Sequence, residues 1–221
     1  MNQVKCTRLA LGDTAWQWSF GHELSSLLSE HVLRIFHALM TDHSLSGLGV
    51  HDIVPTYSAV AVYFSRYSSE SERQAIAVRV EALIDRIQFD EDASSVPDRV
   101  VYEFCVDYSG EDLLEVAQHT GLTVQEVITR HSQGVYQVAM IGFQPHFPYL
   151  LGLDPKLQMP RRSSPRTAVK AGAVAIGGAQ TGIYPTSSPG GWNIIGYTSV
   201  VQLPQLNPGD YLRFKPITVN V

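Results

Sequence analysis

The sequence predicts a two-domain protein. Residues 1–92 are expected to form an α+β unit of order ββαββα with a four-stranded sheet, and residues 93–221 a mostly-β domain, a closed barrel or a sandwich. Three observations carry this prediction. In the first third, two stretches with apolar residues at helical spacing alternate with pairs of short β-rich runs. Residues 89–97 are acidic and rich in small side chains and end on Pro97, which marks a boundary. Beyond them, short β runs are separated by Pro/Gly loops, with seven of the twelve prolines and nine of the seventeen glycines between 142 and 196.

In chain order, residues 4–10 and 15–20 read as strands around a Gly12-Asp13 turn. Ser25 or Ser26 caps a helix reaching Thr41, with Leu28, Val32, Ile35, Phe36 and Leu39 on one face. Gly47-Leu48-Gly49 breaks the chain before strands at 50–54 and 59–65. Ser69-Glu70-Ser71-Glu72 is a capping box, and Ile76, Val80, Leu83, Ile84 and Ile87 form the face of the helix that follows. In the second domain, residues 100–106 read as a strand, Gly110-Glu111-Asp112 opens a short helix to His119, and Thr123-Val124-Gln125-Glu126 is another capping box. Strands are expected at 136–141, 174–176, 193–197, 200–203 and 211–215, the last after a Pro208-Gly209-Asp210 turn.

Composition narrows the function. A net charge of −5 with eight scattered histidines and no basic stripe argues against nucleic acid or an anionic membrane as partner. No apolar run approaches the ~20 residues that span a bilayer. The N-terminus shows no basic-then-apolar signal. Cys6 and Cys105 are too few for a disulfide framework or a zinc site, so a cytoplasmic protein with reduced thiols is expected.

The stretch 142–196 carries the candidate chemistry. Pro fixes φ and Gly permits positive φ, so its loops have defined paths. Arg161, Arg162 and Arg166, held between Pro160 and Pro165, offer donor forks suited to carboxylate or phosphate; the alternative is a solvated surface cluster. Gln180, Thr181 and Tyr184, flanked by Gly177, Gly178 and Gly182, suit a neutral amide or lactam; the alternative is a tight β connection with Gln180 bonding nearby backbone. No GxGxxG or GxxxxGK[ST] occurs, so this chain alone shows no ATP-phosphate cradle. His131, ending a helix beside a strand, is the candidate general base. Glu111 and Asp112 sit at a helix start, where negative charge is favoured structurally. Cys105 reads as a buried strand residue, and no His/Cys spacing points to a metal.

The run Gly142-Phe143-Gln144-Pro145-His146-Phe147-Pro148-Tyr149-Leu150, then Pro160-Arg161-Arg162-Ser163-Ser164-Pro165-Arg166-Thr167, then 172–185 and Ser188-Pro189-Gly190-Gly191-Trp192, resembles the family of the 5-oxoprolinase B subunit, also called the KipI or allophanate hydrolase subunit 1 family. The resemblance is dense over roughly residues 100–215 and looser before them. It implies a cyclophilin-like barrel and a protein that does not act alone. The implied partners are a larger C subunit, with which it pairs, and an A subunit. The assembly opens 5-oxoproline to glutamate using ATP. For such a reaction, the residue chemistry leads us to expect that Arg162 or Arg166 holds the substrate carboxylate or a phosphoryl group, while Gln180, Thr181 and Tyr184 bind the amide edge. Arg130-His131-Ser132 sits where the family commonly has a His-Ser pair. Relatives of this architecture act in carboxyl transfer on urea-like amides. KipI-type members resemble inhibitors of a sensor histidine kinase, a role that an exposed apolar patch around Phe147, Tyr149 and Leu150 would suit. Two departures stand out. Family members usually have Gly at the position of His146, and the Cys105–Asp112 stretch is rearranged beside the usual Cys-Tyr-Gly-Gly-Glu pattern.

Overall fold

The computed structural model describes residues 6–89 and 100–217. The chain divides into two compact units, Met1–Asp98 and Arg99–Val221. The boundary expected between residues 92 and 93 lies outside the described residues.

The first unit begins with β1 (Thr7–Leu11) and β2 (Ala15–Ser19), followed by α1 (Ser26–Thr41), a short α2 (His43–Gly47), β3 (Val50–Pro55), β4 (Ala59–Phe64) and α3 (Glu70–Phe89). The strands form one antiparallel sheet in the order β1-β2-β4-β3. The Ser25 hydroxyl accepts from Leu28 N and starts α1. At α3, Ser69 and Glu72 cap each other's backbone N–H. The apolar faces of both helices share a core with the sheet, built around Trp18, Ile35, Phe64, Ile76 and Val80. The short α2 fills residues to which the sequence assigned no element, between the helix ending at Thr41 and the expected break at Gly47-Leu48-Gly49. Its N-cap is Asp42, whose carboxylate accepts from Ser44 N.

The second unit is built on a closed seven-stranded barrel. Its strands are β5 (Val101–Asp107), β6 (Tyr136–Ile141), β7 (Pro148–Leu151), β9 (Ala173–Gly177), β10 (Gln180–Ile183), β12 (Asn193–Thr198) and β13 (Tyr211–Pro216), in the order β10-β7-β6-β13-β5-β12-β9. Only β13 and β5 run parallel among these described pairs. Outside the barrel, β8 (Arg166–Val169) and β11 (Ser188–Gly190) form a two-stranded ribbon. Two helices follow β5: α4 (Leu113–Thr120) and α5 (Val124–Gln133), the latter with both halves of its capping box formed. Phe104, Val106, Tyr136, Val138, Leu150 and Phe214 help fill the interior.

Three expectations are corrected here. The strand expected at 200–203 is a turn leading into a 3-10 segment, Leu203–Gln205, because Leu203 N bonds back to Val200 O and Pro204 has no N–H to give a ladder. Cys105 is exposed, since the alternation of β5 turns Phe104 and Val106 inward and Cys105 outward. The apolar patch expected at 147–150 is not a surface: Phe147 is 2% and Leu150 0% exposed.

Candidate functional site

Four loops of the second unit meet in a cleft of about 190 Å³. Its walls are aromatic, from Phe143, Phe147, Tyr149, Tyr184 and Trp192, and its cationic side comes from Arg161 and Arg162. The rings pack edge to face, with Phe147 5.1 Å from Tyr184 and 5.6 Å from Trp192. Trp192 lies flat against Gly177, where any Cβ would run into its indole. Phe143 has a φ of 66°, an unusual backbone for a residue with a Cβ, and is 61% exposed at the lip of the cleft. The Arg161 guanidinium lies 5.9 Å from the centre of the Trp192 ring.

Asp112 organises the cationic side. Its Oδ1 accepts from Arg162 Nη1 at 2.8 Å and Arg166 Nη2 at 2.7 Å, and its Oδ2 from Ile194 N at 2.7 Å. The side chain is thus spent on β12 and the arginines and makes no cap for α4. Close passage of the chain at Gly110 sets this up. Gly110 N and Asp112 N donate to Ile195 O and Ile194 O, and a Cβ on Gly110 would overlap the backbone of β12. Arg162 also reaches Glu115 at 3.3 Å, a surface contact. Arg162 Nε and Arg166 Nη1 are buried without a hydrogen-bond partner among the described residues.

The electrostatics follow from these contacts. The bond to Asp112 raises the pKa of Arg166. Burial raises Tyr184, with the Trp192 backbone hydrogen bond opposing it. Tyr197 donates to both oxygens of Glu111, and burial, then that carboxylate, pushes its phenol up to about 12.

The remaining residues singled out from the sequence, His131 on α5 and Gln180 and Thr181 on β10, lie away from the cleft. His131 is 0% exposed, stacked at 4.6 Å on Phe214. Thr181 Oγ1 donates to Ala175 O at 3.0 Å, so its lone pairs accept from His131 Nε2–H at 3.0 Å. Nδ1 is then the acceptor for Tyr108 OH at 2.8 Å. Burial pushes the imidazole down to about 3, which keeps this tautomer neutral. A general base must reach the proton it removes, and His131 has no exposed surface through which a substrate could approach. Gln180 is buried on β10 opposite Gly177 and, like Thr181, does not line the cleft. Of the six residues, then, Arg162 and Tyr184 share the cleft, Arg166 joins it through Asp112, and His131 and Thr181 share an internal network.

Asp112, Phe143 and Trp192 emerge as site residues only in three dimensions. A helix-start carboxylate reads as a cap, and nothing local says that its partners lie 50, 54 and 82 positions away. Among the described residues, no three of His, Cys, Asp and Glu gather as a metal-binding group, and no helix is long and apolar enough to cross a membrane.

The family described as "Carboxyltransferase domain, subdomain C and D" matches residues 6–205. The chain is 36% identical over 216 residues to the 5-oxoprolinase B subunit of Bacillus subtilis, covering 92% of this chain and 87% of that protein. It is 52% identical over 112 residues to the 5-oxoprolinase B subunit of Haemophilus influenzae, covering 48% of this chain and 53% of that one. Among solved structures, the crystal structure of TTHA0988 superposes with a TM-score of 0.76 at 33% identity. That match takes in 92% of this chain but only 40% of TTHA0988, so the chain spans about two fifths of its length. The chain belongs to the family of the 5-oxoprolinase B subunit, which carries the carboxyltransferase domain, subdomain C and D.

Proposed function

We propose that this chain is the B subunit of an ATP-dependent 5-oxoprolinase, a cytoplasmic assembly that opens 5-oxoproline to glutamate together with the A and C subunits. Water adds to the lactam carbonyl carbon, and the ring C–N bond breaks to give the free amine and a second carboxylate. The observation that carries this reading is the identity, over nearly the whole chain, with a protein named as the B subunit of 5-oxoprolinase. The site agrees in chemistry. A lactam is a stable amide, so its opening needs a held carbonyl and compensation for developing charge. Aromatic walls beside paired guanidinium groups suit a small ring bearing a carboxylate.

On this reading Arg162 and Tyr184 lie at the substrate and Arg166 steadies Arg162 through Asp112. Gln180, Thr181 and His131 support them from within the barrel. ATP is bound by the assembly, and this chain, which we take to be a cyclophilin-like barrel joined to an α+β unit, is inactive alone. The kinase-inhibitor alternative loses its supporting surface with the burial of Phe147 and Leu150.

The test is ATP-dependent glutamate release by the A and C subunits with this chain omitted, restored, or carrying Arg162→Ala, Arg166→Ala or Gln180→Ala. Release should require the chain and fall most with Arg162→Ala. Undiminished release without the chain overturns the reading.

A further inference from the structure

The connection from β5 to α4 delivers Asp112 to its two arginines, yet the strand ladder sets little of its path. Asp107 pairs with Tyr197, and the next bond to β12 runs from Gly110 N to Ile195 O, so the connection takes three positions where β12 takes two. The surplus residue is a bulge, and a bulge re-aims the side chains around it. The Gly110 bond is also long, at 3.3 Å. The chains run close on either side of the bulge. A Cβ on Gly196 would meet Asp107 O and Tyr108 Cα, and one on Gly110 would overlap Ile195. Glycine permits such an approach without enforcing it.

Tyr108 supplies what the ladder lacks. It packs against the barrel core, edge-on to His131 with ring centres 5.7 Å apart, and its hydroxyl donates to His131 Nδ1 at 2.8 Å. Burial raises the phenol pKa, so this donor persists over the working range of pH. The acceptor is fixed in turn. The His131 ring stacks on Phe214, its Nε2–H is taken by Thr181, and its carbonyl accepts from Tyr136 OH at 2.7 Å. At 0% exposure this imidazole meets no substrate, but it is a rigid post inside the barrel.

We infer that Tyr108 is a positioning residue: its hydroxyl, anchored on His131, holds the bulge against β12 and so sets where Asp112 presents its carboxylate to Arg162 and Arg166. The consequence for catalysis rests on the 5-oxoprolinase reading above; the anchoring is a property of the chain alone.

Four single variants of the full chain separate anchoring from general stability. Tyr108→Phe removes only the hydroxyl. His131→Gln puts its amide nitrogen in the place of Nε2, which keeps Thr181 but loses the acceptor for Tyr108. His131→Asn puts its amide oxygen in the place of Nδ1, which keeps that acceptor and leaves a larger cavity. Val138→Ala, in the barrel core on β6, is a destabilised control. The readout is solvent exchange of the Arg162 Nε–H, buried in the unaltered chain, followed by NMR at a temperature where the amide spectrum shows each variant folded. Exchange should quicken about tenfold in Tyr108→Phe and His131→Gln and stay within about twofold of the unaltered chain in His131→Asn and Val138→Ala. With the A and C subunits present, Tyr108→Phe should raise the KM for 5-oxoproline about threefold or more with a smaller change in kcat, and Val138→Ala should leave KM unchanged. Unchanged exchange in Tyr108→Phe, or exchange that follows the order of stability across the four variants, overturns the inference. If His131→Asn does not fold, Tyr108→Phe against Val138→Ala decides by the same criteria. Quickened exchange in a chain that glutamate release does not need supports the anchoring and overturns the 5-oxoprolinase reading.

Discussion

Arg166 Nη2 donates to Asp112 Oδ1 at 2.7 Å across 54 positions of the chain, joining the start of α4 to β8. The same oxygen takes Arg162, and the other carboxylate oxygen takes the backbone of β12. One side chain therefore ties three separate segments of the second unit together.

Asp112→Ala should accordingly lower unfolding free energy by about 3 kcal/mol, since it leaves two guanidinium groups and a buried backbone N–H without their acceptor. Arg166→Met should cost only about 1 kcal/mol, because Asp112 keeps Arg162 and Ile194 N. Urea unfolding of both variants checks the order. Equal costs would mean that Asp112 does not join the segments as described.

His131 predicts a pH dependence. Its imidazole sits at about 3 when folded, against an ordinary 6.5, because burial disfavours the cation. In that window the unfolded chain binds a proton that the folded chain refuses, so stability falls as pH falls. The contribution is whole above pH 6.5 and is lost toward pH 3 at about 1.4 kcal/mol per pH unit. His131→Gln should flatten the acid limb by roughly one proton between pH 6 and 5. Unfolding curves that stay parallel to the unaltered protein would show that His131 charges as readily folded as unfolded.

The contrast between His131 and Asp112 shows what the sequence could reveal. Caps and apolar spacing mark helices locally, so Ser25, Ser69 and Thr123 gave the starts of α1, α3 and α5. Short strands rich in Gly or Pro gave no such mark. β10 carries Gly182, where a Cβ would crowd Phe147 and Pro148, and β7 opens on Pro148. Partners in the site are set by which strands close the barrel. For that reason residue type could single out Arg162 and Tyr184, which the fold brings to one cleft, but could not show that Asp112 joins two arginines or that Thr181 bonds His131.

Thr181→Val tests where that hydroxyl acts. It leaves His131 Nε2–H buried without an acceptor, so stability should drop by about 2 kcal/mol. Tyr108→Phe removes the donor to the other ring nitrogen and should cost about 1 kcal/mol. The double variant should cost less than the sum, since both act through one imidazole. Glutamate release at a temperature where Thr181→Val remains folded should be nearly normal. A large loss of release with unchanged stability would instead put Thr181 at the substrate.

His146 shows a backbone demand that its residue type obscures. It has a φ of 66° in the connection between β6 and β7, its side chain is exposed, and it does not line the cleft. Histidine tolerates the left-handed region better than most residues, yet any Cβ there costs about 1–2 kcal/mol. Glycine removes that strain but gives the unfolded chain about 0.5–1 kcal/mol more entropy to lose. His146→Gly should therefore raise stability by roughly 0.5 kcal/mol, and His146→Val should lower it by at least about 1 kcal/mol because β-branching is poorly accommodated at positive φ. Thermal unfolding of the pair reads the two signs directly. A destabilised glycine variant would show that the His146 side chain makes a contribution beyond the conformation it occupies.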